Sequence, residues 1–201
     1  IVALRDHLIA GAGHEFYVTG IADEEQPSDT QYAVMRKDDK LRDPDTNDLL
    51  GYEMVFVGTA ELRATGEPAT FFMTNSDREA YRGDLIRPID LRLPMNFFPQ
   101  APEQEVDGSI ISVVDGVSRI GQYQMVILNR GSNDGLGAGS VLAVWQNGES
   151  THDNRRWGKK VTLPDTFAGN LMVVKAYDDI SYALVMEAVS EMRVYDRVKN
   201  P

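Results

Sequence analysis

The sequence predicts an all-β fold of two tandem small barrels or sandwiches, and three observations carry that prediction. Short runs rich in Val, Ile, Phe and Tyr recur along the chain, each bounded by Gly, Pro, Asn or Asp. No window of helical length keeps apolar residues at i, i+3, i+4 and i+7. The second half restates the strand pattern of the first, as tandem copies of one small β unit do.

Taken in order, the runs 15–19, 31–35 and 53–57 are the first strands, followed by apolar stretches at 69–73 and 83–86. The second set is 109–114, 125–128, 141–145 and 171–174, followed by 183–186 and 195–198. The segment 51–62 lines up with 169–180 when Gly51 is set against Gly169. Each is then followed by a second apolar strand, an acidic turn (Asp84 or Asp196) and a short strand. On this alignment the first copy carries about six extra residues, which fit a longer hairpin turn at 63–68. Between the copies, 91–105 holds three prolines and no alternation, so it reads as an extended connector. The expected division is a β-domain at 1–90, a Pro-rich connector at 91–108 and a second β-domain at 109–201.

Charge supports the division. Residues 1–108 carry 21 acidic against 10 basic side chains, whereas 109–201 carry 10 of each. The imbalance fits two separate surfaces, or acidic loops that keep the first copy soluble. A net charge of −11 argues against nucleic-acid binding, which needs a basic face. The chain has no cysteine, which removes disulfides, thiol nucleophiles and thiolate metal sites. No apolar run approaches the roughly 20 residues of a membrane-spanning helix, so no membrane-spanning segment is expected. The chain begins at Ile1, which places any signal peptide or N-terminal module upstream.

Few motifs suggest chemistry. NRGSNDGLGAGSVLAVW, at 129–145, packs four glycines into nine residues. A phosphate-cradling loop must open a helix, because its N–H groups converge at a helix N-terminus. Here Gly139 leads into Ser-Val-Leu-Ala-Val-Trp, a strand. Gly135, Gly137 and Gly139 are therefore expected to serve tight turns between the strands 125–128 and 141–145, with positive φ at one or more of them. The segment 43–54 has acids where a calcium loop wants its first, third and fifth ligands. However, its sixth position is Asp48 rather than Gly and its twelfth is Met54 rather than Glu, so a turn between strands is the better reading. His7, His14 and His152 lack zinc-site spacing, and there is no Gly-x-Ser-x-Gly elbow. Neither a metal nor another cofactor is expected. Carboxylates are plentiful, so a glycosidase pair stays open on sequence alone, although two small barrels offer little room for a deep cleft. Trp157, beside Arg155 and Arg156 in a polar loop, is the candidate ligand-binding platform, while Trp145 ends an apolar strand and is expected in the core.

Several stretches together resemble a known family. They are Leu-Arg-Asp-Pro-Asp-Thr at 41–46 with Leu50 and Gly51, Asn-Phe-Phe-Pro-Gln-Ala-Pro at 96–102, and Gly-Val-Ser-Arg-Ile-Gly-Gln at 116–122. To these are added Leu-Asn-Arg-Gly at 128–131, Asp-Gly-Leu at 134–136, Gly-Ser-Val-Leu-Ala-Val at 139–144, Ala-Gly-Asn-Leu-Met-Val at 168–173 and Arg-Val-Lys-Asn-Pro at 197–201. The chain resembles the C-terminal region of LysM-domain-containing envelope proteins of Gram-negative proteobacteria. The resemblance covers nearly the whole chain and is strongest from Asn96 onward. It implies a periplasmic or envelope location, and peptidoglycan as a partner through an N-terminal LysM module. No LysM motif lies in this chain, so no residue here inherits glycan binding.

The expected function is a non-catalytic structural or protein-interaction module of an exported, peptidoglycan-associated protein. The alternative is a glycan-binding module using Trp157 and the adjacent arginines. A peptidoglycan hydrolase is disfavoured by the missing zinc and nucleophile patterns.

Overall fold

The computed structural model describes residues 1–5, 8–21, 31–89, 98–114, 119–148, 150–153 and 159–201. Among them every regular element is a strand, apart from one 3-10 turn at Ser132–Asp134. No helix among them is long and apolar enough to cross a membrane. The chain forms two compact units. The first comprises Ile1–Lys40 and Tyr52–Leu93, and the second comprises Leu41–Gly51 and Pro94–Pro201. The division differs from the expected contiguous one at 41–51, which belongs to the second unit. It also differs at the end of the connector, where Gln100 bridges Ser140 and a strand starts at Asp107.

The first unit is built on one six-stranded antiparallel sheet. Its strands are β1 (Ala3–Leu4), β2 (Glu15–Val18), β3 (Gln31–Arg42), β4 (Leu49–Ala64), β5 (Ala69–Ser76) and β6 (Leu85–Pro88). They lie in the order β1-β2-β5-β4-β3-β6. Alternation along β5 sends Ala69, Phe71 and Met73 inward, where Phe71 packs on Phe16 and Tyr32.

The second unit contains a closed barrel. Its strands in chain order are β7 (Asp107–Val113), β8 (Arg119–Ile120), β9 (Met125–Leu128), β10 (Val141–Gln146), β11 (Ser150–Asp153), β12 (Lys159–Thr162), β13 (Thr166–Ala176), β14 (Ser181–Ala188), β15 (Met192–Arg193) and β16 (Arg197–Lys199). The barrel runs β10-β13-β14-β9-β7-β16, while among the described residues β11 pairs only with β12 and β8 only with β15. Its interior is filled by Ile110, Val126, Leu128, Leu142, Val144, Leu171, Val173, Val185 and Val198. A smaller cluster sets Leu41 against Ile111 and Ile127.

The two units are copies of one design. With β1 in place of β7, β2 of β9, β5 of β14, β4 of β13, β3 of β10 and β6 of β16, the sheet order of the first unit is that of the barrel. Register agrees residue by residue. Val34 faces Ile86 as Val144 faces Val198, and Leu4 faces Phe16 as Val113 faces Val126. Gly58 faces Ser76 as Gly169 faces Ala188, with irregularities following at matching places in both ladders. The repeat is therefore present, but its anchor is Gly58 with Gly169, not Gly51 with Gly169. At both glycines a Cβ would run into a cross-strand carbonyl, Asn75 in one unit and Glu187 in the other. A side chain is excluded there for the same reason twice.

Candidate functional site

Among the described residues the glycine-rich loop contains one of five copies of a single turn. In each copy the first residue's N–H donates to the side chain of the fourth. The pairs are Gly11 to His14 Nδ1 (3.2 Å), Tyr81 to Asp84 Oδ2 (2.8 Å), Gly121 to Gln124 Oε1 (2.6 Å), Gly137 to Ser140 Oγ (3.1 Å) and Arg193 to Asp196 Oδ2 (2.8 Å). The third residue has positive φ every time: Gly13 (89°), Gly83 (95°), Tyr123 (67°), Gly139 (95°) and Tyr195 (76°). The fourth residue's N–H returns to the first residue's carbonyl, and a strand begins next in all five cases. A polar acceptor at the fourth position therefore closes a turn by capping its own backbone.

This places the sequence-predicted glycines. Gly135 (φ 79°) ends the 3-10 turn and Gly139 takes the left-handed position of the repeated turn. Gly137 is the turn's first residue and is not among the positive-φ glycines. The loop is not a hairpin connection as expected, because β9 pairs with β14 and β7 whereas β10 pairs with β13 and β16. Next to the loop lies a shallow cleft of about 380 Å³ lined by Gln100, Pro102, Gln104, Ser132, Gly135 and Ser140, among others. Its one ionisable lining residue is Glu103. An acid opposes a phosphate, and the loop leads into β10 rather than a helix.

The calcium-like segment resolves into a turn. Asp43, 8% exposed, accepts the N–H groups of Asp45 and Thr46 on Oδ1. Its Oδ2 accepts from Asn129 Nδ2 at 2.9 Å and faces Arg130 Nη1 at 3.4 Å. Burial pushes this carboxyl upward, but the two N–H groups, the Asn129 amide and the Arg130 charge outweigh burial and hold it below its ordinary value. Beside it, Arg197 bridges Asp45 (2.9 Å) and Asp107 (3.1 Å) and donates to Ser109 Oγ. Among the described residues no group of three or more His, Asp or Glu is arranged to hold a metal ion.

Two further buried acids, Asp84 and Asp196, occupy equivalent turns and meet different partners. Arg36 grips Asp84 with two bonds, Nε to Oδ1 at 2.9 Å and Nη2 to Oδ2 at 2.7 Å. Gln146 stands at the equivalent place in β10, and its amide reaches only the Glu191 carbonyl. Among the described residues, therefore, no cation grips Asp196 with two bonds. Burial raises its pKa above the ordinary value, opposed in part by the N–H groups of Arg193 and Asn147 and by the Arg193 charge.

Trp157, Arg155 and Arg156 lie outside the described residues, as does His7. Trp157 and the two arginines belong to the segment joining β11 to β12, whose ladder closes with Asp153 opposite Lys159. Trp145, expected in the core, is instead half-buried and packs edge-on against Phe167 at 5.7 Å. The five-fold turn escaped sequence reasoning, yet its signal was present: a polar His, Asp, Gln or Ser stands just before each strand it introduces.

No protein-family model matches the chain, and no curated protein matches it.

Proposed function

We propose that the chain is a non-catalytic tandem-barrel module that couples an exported, LysM-type peptidoglycan-associated protein to another envelope component. The observation that supports this reading is the use made of its polar groups. Asp43, Asp84 and Asp196 are consumed by backbone N–H groups and ion pairs, and the glycine loop supplies a turn that occurs elsewhere in both units. A catalytic acid or base needs a free face toward a substrate, whereas these carboxylates face their own turns. The family resemblance supplies the envelope context.

Sedimentation with purified peptidoglycan tests the proposal. The module should stay in the supernatant, while capture by envelope extracts should enrich a protein partner. Cosedimentation of this chain with peptidoglycan, lost on Trp157→Ala, would overturn it in favour of the glycan-binding alternative. That alternative rests on the Arg-Arg-Trp segment joining β11 to β12, a hairpin whose strands pair with no barrel strand among the described residues.

A further inference from the structure

Two of the five capped turns occupy the same place in the two units. Gly11–His14 leads into β2, and Gly121–Gln124 leads into its counterpart β9. Their outer bonds match one for one. Gly13 N–H donates to the Met73 carbonyl at 2.8 Å, and Met73 N–H donates to the His14 carbonyl at 3.0 Å. Tyr123 N–H likewise donates to the Val185 carbonyl at 2.8 Å, and Val185 N–H to the Gln124 carbonyl at 3.0 Å. Inside each turn, the N–H of His14 or Gln124 returns to the carbonyl of Gly11 or Gly121. Backbone and pairing therefore agree, and the difference is the cap. Gly11 N–H donates to an imidazole nitrogen, Gly121 N–H to an amide oxygen.

The two caps respond differently to acid. A glutamine amide oxygen accepts whatever the pH. An imidazole nitrogen accepts while it carries no proton and becomes a donor once protonated. The Gly11 N–H would then face a second N–H, and an imidazolium ring has no acceptor on either nitrogen. Among His, Asp, Gln and Ser, the residue types of the five caps, histidine is the one whose ordinary charge change falls between about pH 5 and 8. The other charged groups on the elements that hold this turn are Arg5 beside β1, Glu15 in β2, and Asp77, Arg78 and Glu79 after β5. Arg5 pairs with Glu15, and Asp77 accepts from Asn75 Nδ2 at 3.0 Å. Asp6 and His7 lie outside the described residues.

We propose that the Gly11–His14 turn is a proton-sensitive joint at the entry to β2. It is closed while His14 Nδ1 accepts from Gly11, and protonation of the ring releases that N–H. The equivalent joint at the entry to β9 stays closed, because Gln124 caps it. Acid therefore loosens one unit at a point where the other is fixed. The loosened stretch leads directly to Phe16, a fully buried core residue of the first unit. The joint does not depend on the envelope context.

The test uses the full chain and follows amide-exchange protection of Gly11 relative to Gly121, each corrected for its intrinsic rate, from about pH 8 to about pH 5. Relative protection of Gly11 should fall by about fivefold, as the loss of one hydrogen bond implies. His14→Gln gives the first turn the cap of the second and should hold the ratio constant. Gln124→His should move the fall to Gly121. A ratio independent of pH in the original chain would overturn the proposal. So would a fall that persists in His14→Gln, because a group other than the cap would then be responsible. If Gln124→His does not fold, the His14→Gln comparison alone decides.

Discussion

Gly139→Ala should be the most damaging change in the glycine-rich loop, and its cost can be worked from the turn. At φ 95° an alanine carries a left-handed penalty of about 1 kcal/mol. The added Cβ would also stand 2.5 Å from the Phe98 carbonyl oxygen, a backbone atom that can yield only by moving the segment that bridges Ser140 through Gln100. That movement strains two hydrogen bonds, Gln100 N–H to Gly139 and Val141 N–H to Gln100, each contributing about 1 kcal/mol. Subtracting about 0.5 kcal/mol for the stiffer unfolded chain leaves a loss of about 2–3 kcal/mol. Gly137→Ala is the internal control. Nothing lies within 4 Å of its Cβ and its φ is not positive, so it should be neutral or slightly stabilising. Both tryptophans, Trp145 and Trp157, fall in the second unit, so urea titration by tryptophan fluorescence reports that unit selectively. Equal losses at the two glycines would refute the turn argument. So would a rise in melting temperature with millimolar nucleotide that Gly139→Ala abolishes, since that is how a phosphate loop behaves.

Four other outcomes follow from the described contacts. Asp43, held below its ordinary pKa, contributes stability that is present above about pH 3.9 and lost as pH falls through its lowered value. Asp196, held above its ordinary pKa, stabilises below about pH 3.9 and loses that contribution as pH rises through its raised value. In urea melts from about pH 3 to 6, Asp43→Asn should flatten the acid limb and Asp196→Asn should steepen it; slopes of the opposite sense would contradict the assignments. Arg36→Ala strands the buried Asp84 carboxylate and should cost about 2–3 kcal/mol, read by circular dichroism, whereas Arg36→Gln, the residue type at the equivalent Gln146, should cost less. Ser181 Oγ is buried without a hydrogen-bond partner among the described residues where the first unit has Ala69, so Ser181→Ala should be neutral or stabilise by up to about 1 kcal/mol in chemical denaturation. Thermal melts with and without a chelator should coincide, because protein donors already occupy Asp43; a fall of several degrees would place an ion there.

The all-β class and the repeat were legible because turn residues and β-branched runs act locally. The anchor of the repeat was not. The run Met54-Val-Phe-Val57 follows Gly51 much as Met172-Val-Val174 follows Gly169, so composition favours that match. An odd slip along a strand exchanges its two faces, and only the pairing partners and bulges reveal which slip is right. On the Gly58–Gly169 anchor the extra residues expected in the turn at 63–68 disappear: Gly58 to Ser76 spans 18 positions and Gly169 to Ala188 spans 19, so the first copy is not the longer one. The assignment of Leu41–Gly51 to the second unit was hidden for a similar reason. It depends on Asn129, Arg130 and Arg197, which lie far along the chain. The Asx-type turn at Asp43 was readable, because its bonds close within three residues.

Position-by-position comparison of the two units separates scaffold from whatever is particular to each. Where both copies do the same thing with the same chemistry, the residue is explained by the fold alone. The capped turns at Asp84 and Asp196 and the side-chain-excluding sites at Gly58 and Gly169 are of that kind. Conspicuous residues such as the loop glycines and buried acids thereby lose their value as signs of catalysis. The differences lie elsewhere. Arg36 stands where the second unit has Gln146, and the segment joining β11 to β12 carries Arg-Arg-Trp where the turn joining β3 to β4 carries the capped Asp43. Of these, the Arg-Arg-Trp segment carries ligand-type side chains. A partner gains binding free energy from groups the fold has not already consumed, so the glycan-binding alternative is to be tested at Trp157 and not at the capped acids.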